Sequence, residues 1–146
     1  MSVKEILNNL TDIVADVTEY SKLTHVLDIA RNKFREPERK FGVIPRGVSE
    51  TSGVTNQITQ DYMFSIILTD TYISTNLTDD ALIEKTVDLV SDFDEIYKEC
   101  VNTKCRSSDI VMLVNQFNVN EAVIVEEEKT IIVEGFLTIR INNRMR

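Results

Sequence analysis

Apolar residues recur at three-and-four spacing near the start of the chain: Val3, Ile6, Leu7, Leu10, Ile13, Val14 and Val17. That spacing predicts an amphipathic helix with Asn8, Asn9, Asp12 and Asp16 on its polar side. Ser2 and Glu5 stand as a capping box at its beginning. The short apolar run from Leu23 to Ile29 fits a strand or a helical turn equally well, because periodicity does not decide at this length. Tyr62 to Tyr72, rich in aromatic and β-branched residues, predicts a well-buried strand. Asn76 to Asp80 turns the chain, with Thr78 placed as N-cap and Asp79 and Asp80 favoured at a helix N-terminus. A long helix is then predicted from Asp79 to about Val101. Its packing face is read as Leu82, Thr86, Val90, Phe93, Tyr97 and Val101, broadened by Ile83, Val87 and Leu89. Lys98 and Lys104 fall at its favourable end.

Three strands close the chain. Ile110 to Val114 and Val119 to Val125 are short apolar runs, and Glu126 to Lys129 has turn character. The last alternates most cleanly: Ile131, Val133, Leu137, Ile139 and Ile141 on one side, and Ile132, Glu134, Thr138, Arg140 and Asn142 on the other, with Phe136 an apolar exception. Gly135 in mid-strand predicts a bulge or a close backbone approach. The order of elements gives α+β: a single domain over residues 1–146, mainly antiparallel β-sheet packed against the N-terminal helix and one long central helix.

One stretch resists this scheme. Both prolines, Pro37 and Pro45, and three of the four glycines, Gly42, Gly47 and Gly53, fall between residues 37 and 53. Breakers at this density predict a long extended loop at about 35–60. Phe41, Val43 and Ile44 interrupt it as an apolar hook, which docks on a partner or pins the loop to its own core. Ser49 to Gln57 holds almost nothing to bury and reads as a flexible return to the sheet.

Composition narrows the function classes. The net charge of −8 argues against a general nucleic-acid binder, which needs clustered Lys and Arg. The charge is uneven. Residues 31–46 carry +4, from six basic and two acidic side chains, and residues 140–146 add +3, leaving −15 for the rest. Basic extremities on an acidic body suit pairing with copies of the chain or with a neighbour of opposite charge. The start Met-Ser-Val-Lys-Glu has no apolar signal core and no stretch here is long enough to cross a bilayer, which predicts synthesis in the cytoplasm and no membrane partner.

Candidate chemistry is sparse. Cys100 and Cys105 lack a second ligand pair and read as ordinary thiols, and His25 is the only histidine. The acidic pairs Asp79-Asp80 and Glu126-Glu127-Glu128 sit where solvated carboxylates are ordinary. Gly42, Gly47 and Gly53 match neither the P-loop nor the dinucleotide spacing. The expectation is a protein that is not an enzyme, with no cofactor and no metal.

The order of pieces resembles a known family. An amphipathic N-terminal helix leads to Val26-Leu-Asp-Ile-Ala-Arg-Asn32 and then to Arg39-Lys-Phe-Gly-Val-Ile-Pro-Arg-Gly47. A strand ending Ile66-Ile-Leu-Thr-Asp-Thr-Tyr72, a helix of some two dozen residues and a closing strand Gly135-Phe-Leu-Thr-Ile-Arg-Ile141 follow. Over nearly its whole length the chain resembles the tail terminator, or tail-completion, proteins of long-tailed bacteriophages. The resemblance implies a structural virion protein that forms a ring, usually of six copies, at the head-proximal end of the tail tube. Such a ring stops tube polymerisation, offers its other face to the head connector, and lets DNA pass without specific binding. No active site transfers. Within the matching loop, Arg39, Lys40, Phe41, Ile44 and Arg46 become the expected contacts with a neighbouring subunit or the tube. A head-closure or neck adaptor, and a small cytoplasmic oligomeric binding domain, are the alternative readings.

Overall fold

The computed structural model describes residues 3–22, 39–52, 57–71, 79–103, 111–125 and 130–144. Among them are two helices and six strands, a mixed α+β architecture. Helix α1 is Val3–Thr18, and strands β1, β2 and β3 are Ser21–Lys22, Lys40–Ser52 and Gln57–Thr71. Helix α2 is Asp79–Thr103, followed by β4 (Val111–Val119), β5 (Val123–Val125) and β6 (Thr130–Arg144).

The spacing in α1 puts Ile6, Leu10, Ile13 and Val14 on one buried stripe. The helix ends because Glu19 turns into the left-handed region (φ 58°), where its N–H still donates to the Ala15 carbonyl at 3.0 Å. Thr18 reinforces the stop by donating its hydroxyl to the Val14 carbonyl and accepting from the Tyr20 N–H. Ser2 lies outside the described residues, as do Leu23–Ile29, Thr78, Lys104 and Glu126–Lys129.

The sheet order is β1-β2-β3-β6-β4, with β5 also paired to β6. Every pairing is antiparallel except β1 beside β2, which is parallel and only two residues long. Strands β3 and β6 run together without a register break from Gln57↔Arg144 to Thr71↔Thr130 and form the centre. Alternation places Tyr62, Phe64, Ile66 and Leu68 of β3, and Ile131, Val133, Leu137 and Ile139 of β6, on one face. That face and the buried stripes of both helices share one hydrophobic core. Each fully buried Phe, Leu or Ile contributes about 1.5–3 kcal/mol through the apolar area removed from water. Ile67, also buried, belongs to the opposite face. Gly135 makes the close approach that its position predicts: a Cβ there would lie 2.5 Å from a ring carbon of Phe93. The β3–β6 register is unbroken at this glycine, while on its other side the extra residue between β4 and β5 follows directly after the Val119↔Gly135 pair.

Three expectations are corrected. The loop at 35–60 is largely sheet: Lys40–Ser52 pair with β3, and Gln57–Gln60 open β3 itself, so Ser49–Ser52 are paired strand. Residues 35–38 and 53–56 lie outside the described set. Gly42, Pro45 and Gly47 are accommodated because β2 lies toward the edge of the described sheet, where proline is tolerated, and because Arg46 is an extra residue between the Pro45↔Phe64 and Gly47↔Met63 pairs. Secondly, the buried face of α2 is Leu89, Phe93, Ile96 and Cys100, which keeps Phe93 and Leu89 of the predicted face, with Leu82 partly buried beside the core, but is rotated away from the rest of it. Ile83, Val87, Val90, Tyr97 and Val101 are exposed. Its last turn also carries no basic residue, and Lys98 pairs sideways with Asp94 at 3.0 Å. Thirdly, the run Val119 to Val125 is divided. β4 ends at Val119, paired with Gly135, and β5 resumes at Val123, paired with Ile132. That leaves one more residue on the β4–β5 side than on β6.

Candidate assembly surface

Strand alternation decides where the five predicted contact residues go. Phe41 is 1% exposed and packs in the core beside Val43, so the apolar hook pins the strand to its own domain and its ring is not a surface contact. Its neighbours on the ladder, Lys40 and Ile44, point to the opposite face and are half-buried. Arg39 and Arg46 keep much of their side chains at the surface. The structure therefore separates the five rather than gathering them into one patch.

Arg39 sits at the centre of an ionic clasp. Its Nε donates to Asp70 Oδ2 at 3.2 Å, one Nη lies 3.5 Å from Asp88, and the guanidinium stands 5.7 Å from the Tyr20 ring centroid. Lys85 reaches the same Asp70 oxygen at 3.4 Å. Tyr20 donates its hydroxyl to Asp92. These contacts bind the end of α1, the start of β2, the end of β3 and one flank of α2. Burial, then the Asp92 bond and charge, push the Tyr20 hydroxyl well above the ordinary tyrosine range. Burial works against the Arg39 charge, but Tyr20, Asp70 and Asp88 outweigh it and raise its pKa. Asp70 is buried and answered by two cations, an arrangement that holds elements together.

Arg46, the extra residue of the β2 bulge, crosses the other face. Its Nε donates to Ser65 Oγ at 2.8 Å and a terminal nitrogen lies 3.7 Å from Glu134. Ser65 in turn donates to Glu134 at 3.3 Å, so one residue from each of β2, β3 and β6 is linked. Farther along the same face Arg140 grips Asp61 at 2.9 and 3.1 Å, a hydrogen bond that holds the Asp61 carboxyl below its usual range.

The residues that stand out at the surface are apolar, and the pattern along the chain assigns them to the core. On α2, Ile83 (60% exposed), Val87, Val90, Tyr97 and Val101 recur at helical spacing. Tyr97 rests on Phe117 of β4, ring centroids 5.2 Å apart, and Phe117 meets Phe93 edge-on at 6.2 Å. The exposed stripe thus continues onto the sheet at its β4 border. The signal in the sequence is a helix with more apolar positions than one packing face can hold.

Among the described residues no group of three or more His, Cys, Asp or Glu side chains is placed to hold a metal ion. No helix among them is long and apolar enough to cross a membrane. No protein-family model and no curated protein matches this chain.

Proposed function

We propose that this chain is a ring-forming tail terminator of a long-tailed bacteriophage, a single domain in which α2 is the central packing helix. It caps the head-proximal end of the tail tube, stops tube polymerisation and provides the docking face for the head connector. The resemblance of the sequence motifs supports the identity. The observation that carries the assembly role is the sheet itself, which has two dissimilar borders. β4 bounds one side. On the other, β1 covers only Lys40–Phe41 and leaves the rest of β2 without a partner among the described residues. A subunit whose described sheet has two different borders is suited to head-to-tail assembly, and head-to-tail contacts form a ring where the rotation between subunits closes. Lys40, Ile44 and Arg46 remain contact residues in this reading, while Phe41 supports them from within.

Light scattering of the purified protein, alone and with tube protein, combined with electron microscopy of tubes grown in its presence, tests the proposal. The expected outcome is a discrete closed oligomer and tubes capped at one end with their elongation arrested. A strict monomer at every concentration, unable to arrest tube growth, sinks it. A closed oligomer that leaves tube length unchanged but joins heads favours the neck-adaptor reading. One that does neither favours the oligomeric binding domain.

A further inference from the structure

Along α2 the exposed side chains Ile83, Val87, Val90, Asp94, Tyr97 and Val101 follow one another at steps of four and three residues in turn. That alternation is the seam of a coiled coil, a narrow row of knobs that fits the holes of a second helix. Val87, Asp94 and Val101 take its a positions, and Ile83, Val90 and Tyr97 its d positions. The row is roughly 27 Å long and stands about a third of a turn from Leu89, Phe93, Ile96 and Cys100, which fill the core. A seam of this kind needs a helix that carries a row like it. α1 offers none, because the side chains it leaves exposed, Lys4, Glu5, Asn8, Asp12 and Asp16, are all polar. Among the described residues only α2 itself has one.

We infer that the occupant is α2 of a second copy of this chain, the two helices lying antiparallel about a two-fold axis. Three observations select this partner and this direction. The first is the match of layers. In an antiparallel pair a positions meet d positions, and one register sets Ile83 against the partner's Val101, Val87 against the partner's Tyr97, and Val90 against the partner's Asp94. The second is charge at the seam. Its flanking e positions are Glu84, Ser91 and Lys98, all exposed, and antiparallel packing sets Glu84 beside the partner's Lys98 on both sides of the axis. A parallel pair would instead oppose two Asp94 carboxylates and give Glu84 no cation. Lys98 already holds Asp94 at 3.0 Å, so the carboxylate inside the seam enters it with its counter-charge. Asp88, Asp92, Glu95 and Glu99 take the b and f positions, turned away from the partner. The third is the sheet. The axis stands normal to the plane of the two helices, so both sheets lie on one side of the pair. Because Tyr97 rests on Phe117, their β4 borders face each other. β4 holds no charged residue in nine positions, so these borders meet without like-charge repulsion.

This inference goes beyond the ring reading. The pair takes up the β4 border, so in that reading it is the form of the free subunit, which opens before head-to-tail contacts are made. Sedimentation of the purified protein without tube protein should show a dimer. Val90→Asp changes an exposed position, so its circular dichroism should match the parent, yet it sets a second carboxylate beside the partner's Asp94. Its dimer dissociation constant should rise at least about tenfold. Independently, Glu84→Cys and Lys98→Cys proteins, each in a Cys105→Ser background, are treated with a short thiol cross-linker. The two should link when mixed and neither to itself, because like positions stand roughly 20 Å apart along antiparallel helices. Self-linking of Glu84→Cys shows a parallel seam and overturns the inference. Oligomers of more than two copies that ignore Val90→Asp also overturn it and leave the ring reading standing. A strict monomer overturns the pair and leaves the seam to a helix of another protein, and whether that monomer still arrests tube growth decides the ring reading separately.

Discussion

Gly135 and Phe93 show how tightly single positions are set in this molecule. The glycine lies mid-strand with its α-carbon facing the Phe93 ring, and any Cβ would overlap that buried ring. Gly135→Ala should cost about 1–3 kcal/mol, the usual penalty for overpacking a core. Thermal denaturation checks it, and Phe93→Leu in the same chain should recover part of the loss. Here the sequence spoke clearly, because a glycine inside an alternating strand marks either a bulge or a close approach. Tyr20 gave no such signal, since its partners Asp92 and Arg39 are distant in the chain. With its folded pKa raised, chiefly by burial, the stability it contributes is fully present below its ordinary value of about 10 and is lost as pH rises beyond it. Melting temperature should therefore fall as pH climbs above about 10, and Tyr20→Phe should fall less steeply over that range.

The lesson among the elements comes from α2. It carries two adjacent apolar stripes, Leu89-Phe93-Ile96-Cys100 and Ile83-Val87-Val90-Tyr97-Val101, and periodicity detects both without ranking them. The sheet ranks them, because only the first lies against β3 and β6, while the clasp of Arg39, Lys85, Asp70 and Asp88 fixes the helix's rotation. Leu89→Ala should cost about 2–5 kcal/mol in chemical denaturation, whereas Val87→Ala should stay within about 0.5 kcal/mol for the isolated subunit. Equal losses at the two positions would show that the helix is turned the other way. β2 teaches the complementary point. Proline and glycine density reads as loop, yet a strand toward the edge of the described sheet accepts Pro45, and the Arg46 bulge absorbs the mismatch. Phe41 and Val43, two apart and both buried, carried the strand signal within that breaker-rich stretch.

For the whole molecule, the decisive contacts join residues far apart in the chain: Arg140 with Asp61, Arg39 with Asp88, Glu134 with Arg46. The ring proposal belongs to this scale, since it depends on which borders of the finished sheet stay open and how charge divides between them. Of the predicted contact residues, Lys40, Ile44 and Arg46 are at or near the surface, Arg39 is taken up by the clasp and Phe41 by the core. The larger apolar surface on α2 and β4 was hidden among residues that resemble core. By itself the sequence determined α1, the extent of α2 and the inward face of β6, and it marked Gly135 as a bulge or a close approach. These follow from spacing along one stretch of chain, which local geometry converts directly into a face. Only the tertiary structure decided that residues 40–52 join the sheet, which stripe of α2 is buried, that Gly135 meets Phe93, and that β4 comes last in the order of the described strands. Strand pairing and helix docking are choices among distant partners, and a pattern read along one segment holds no record of what lies across from it.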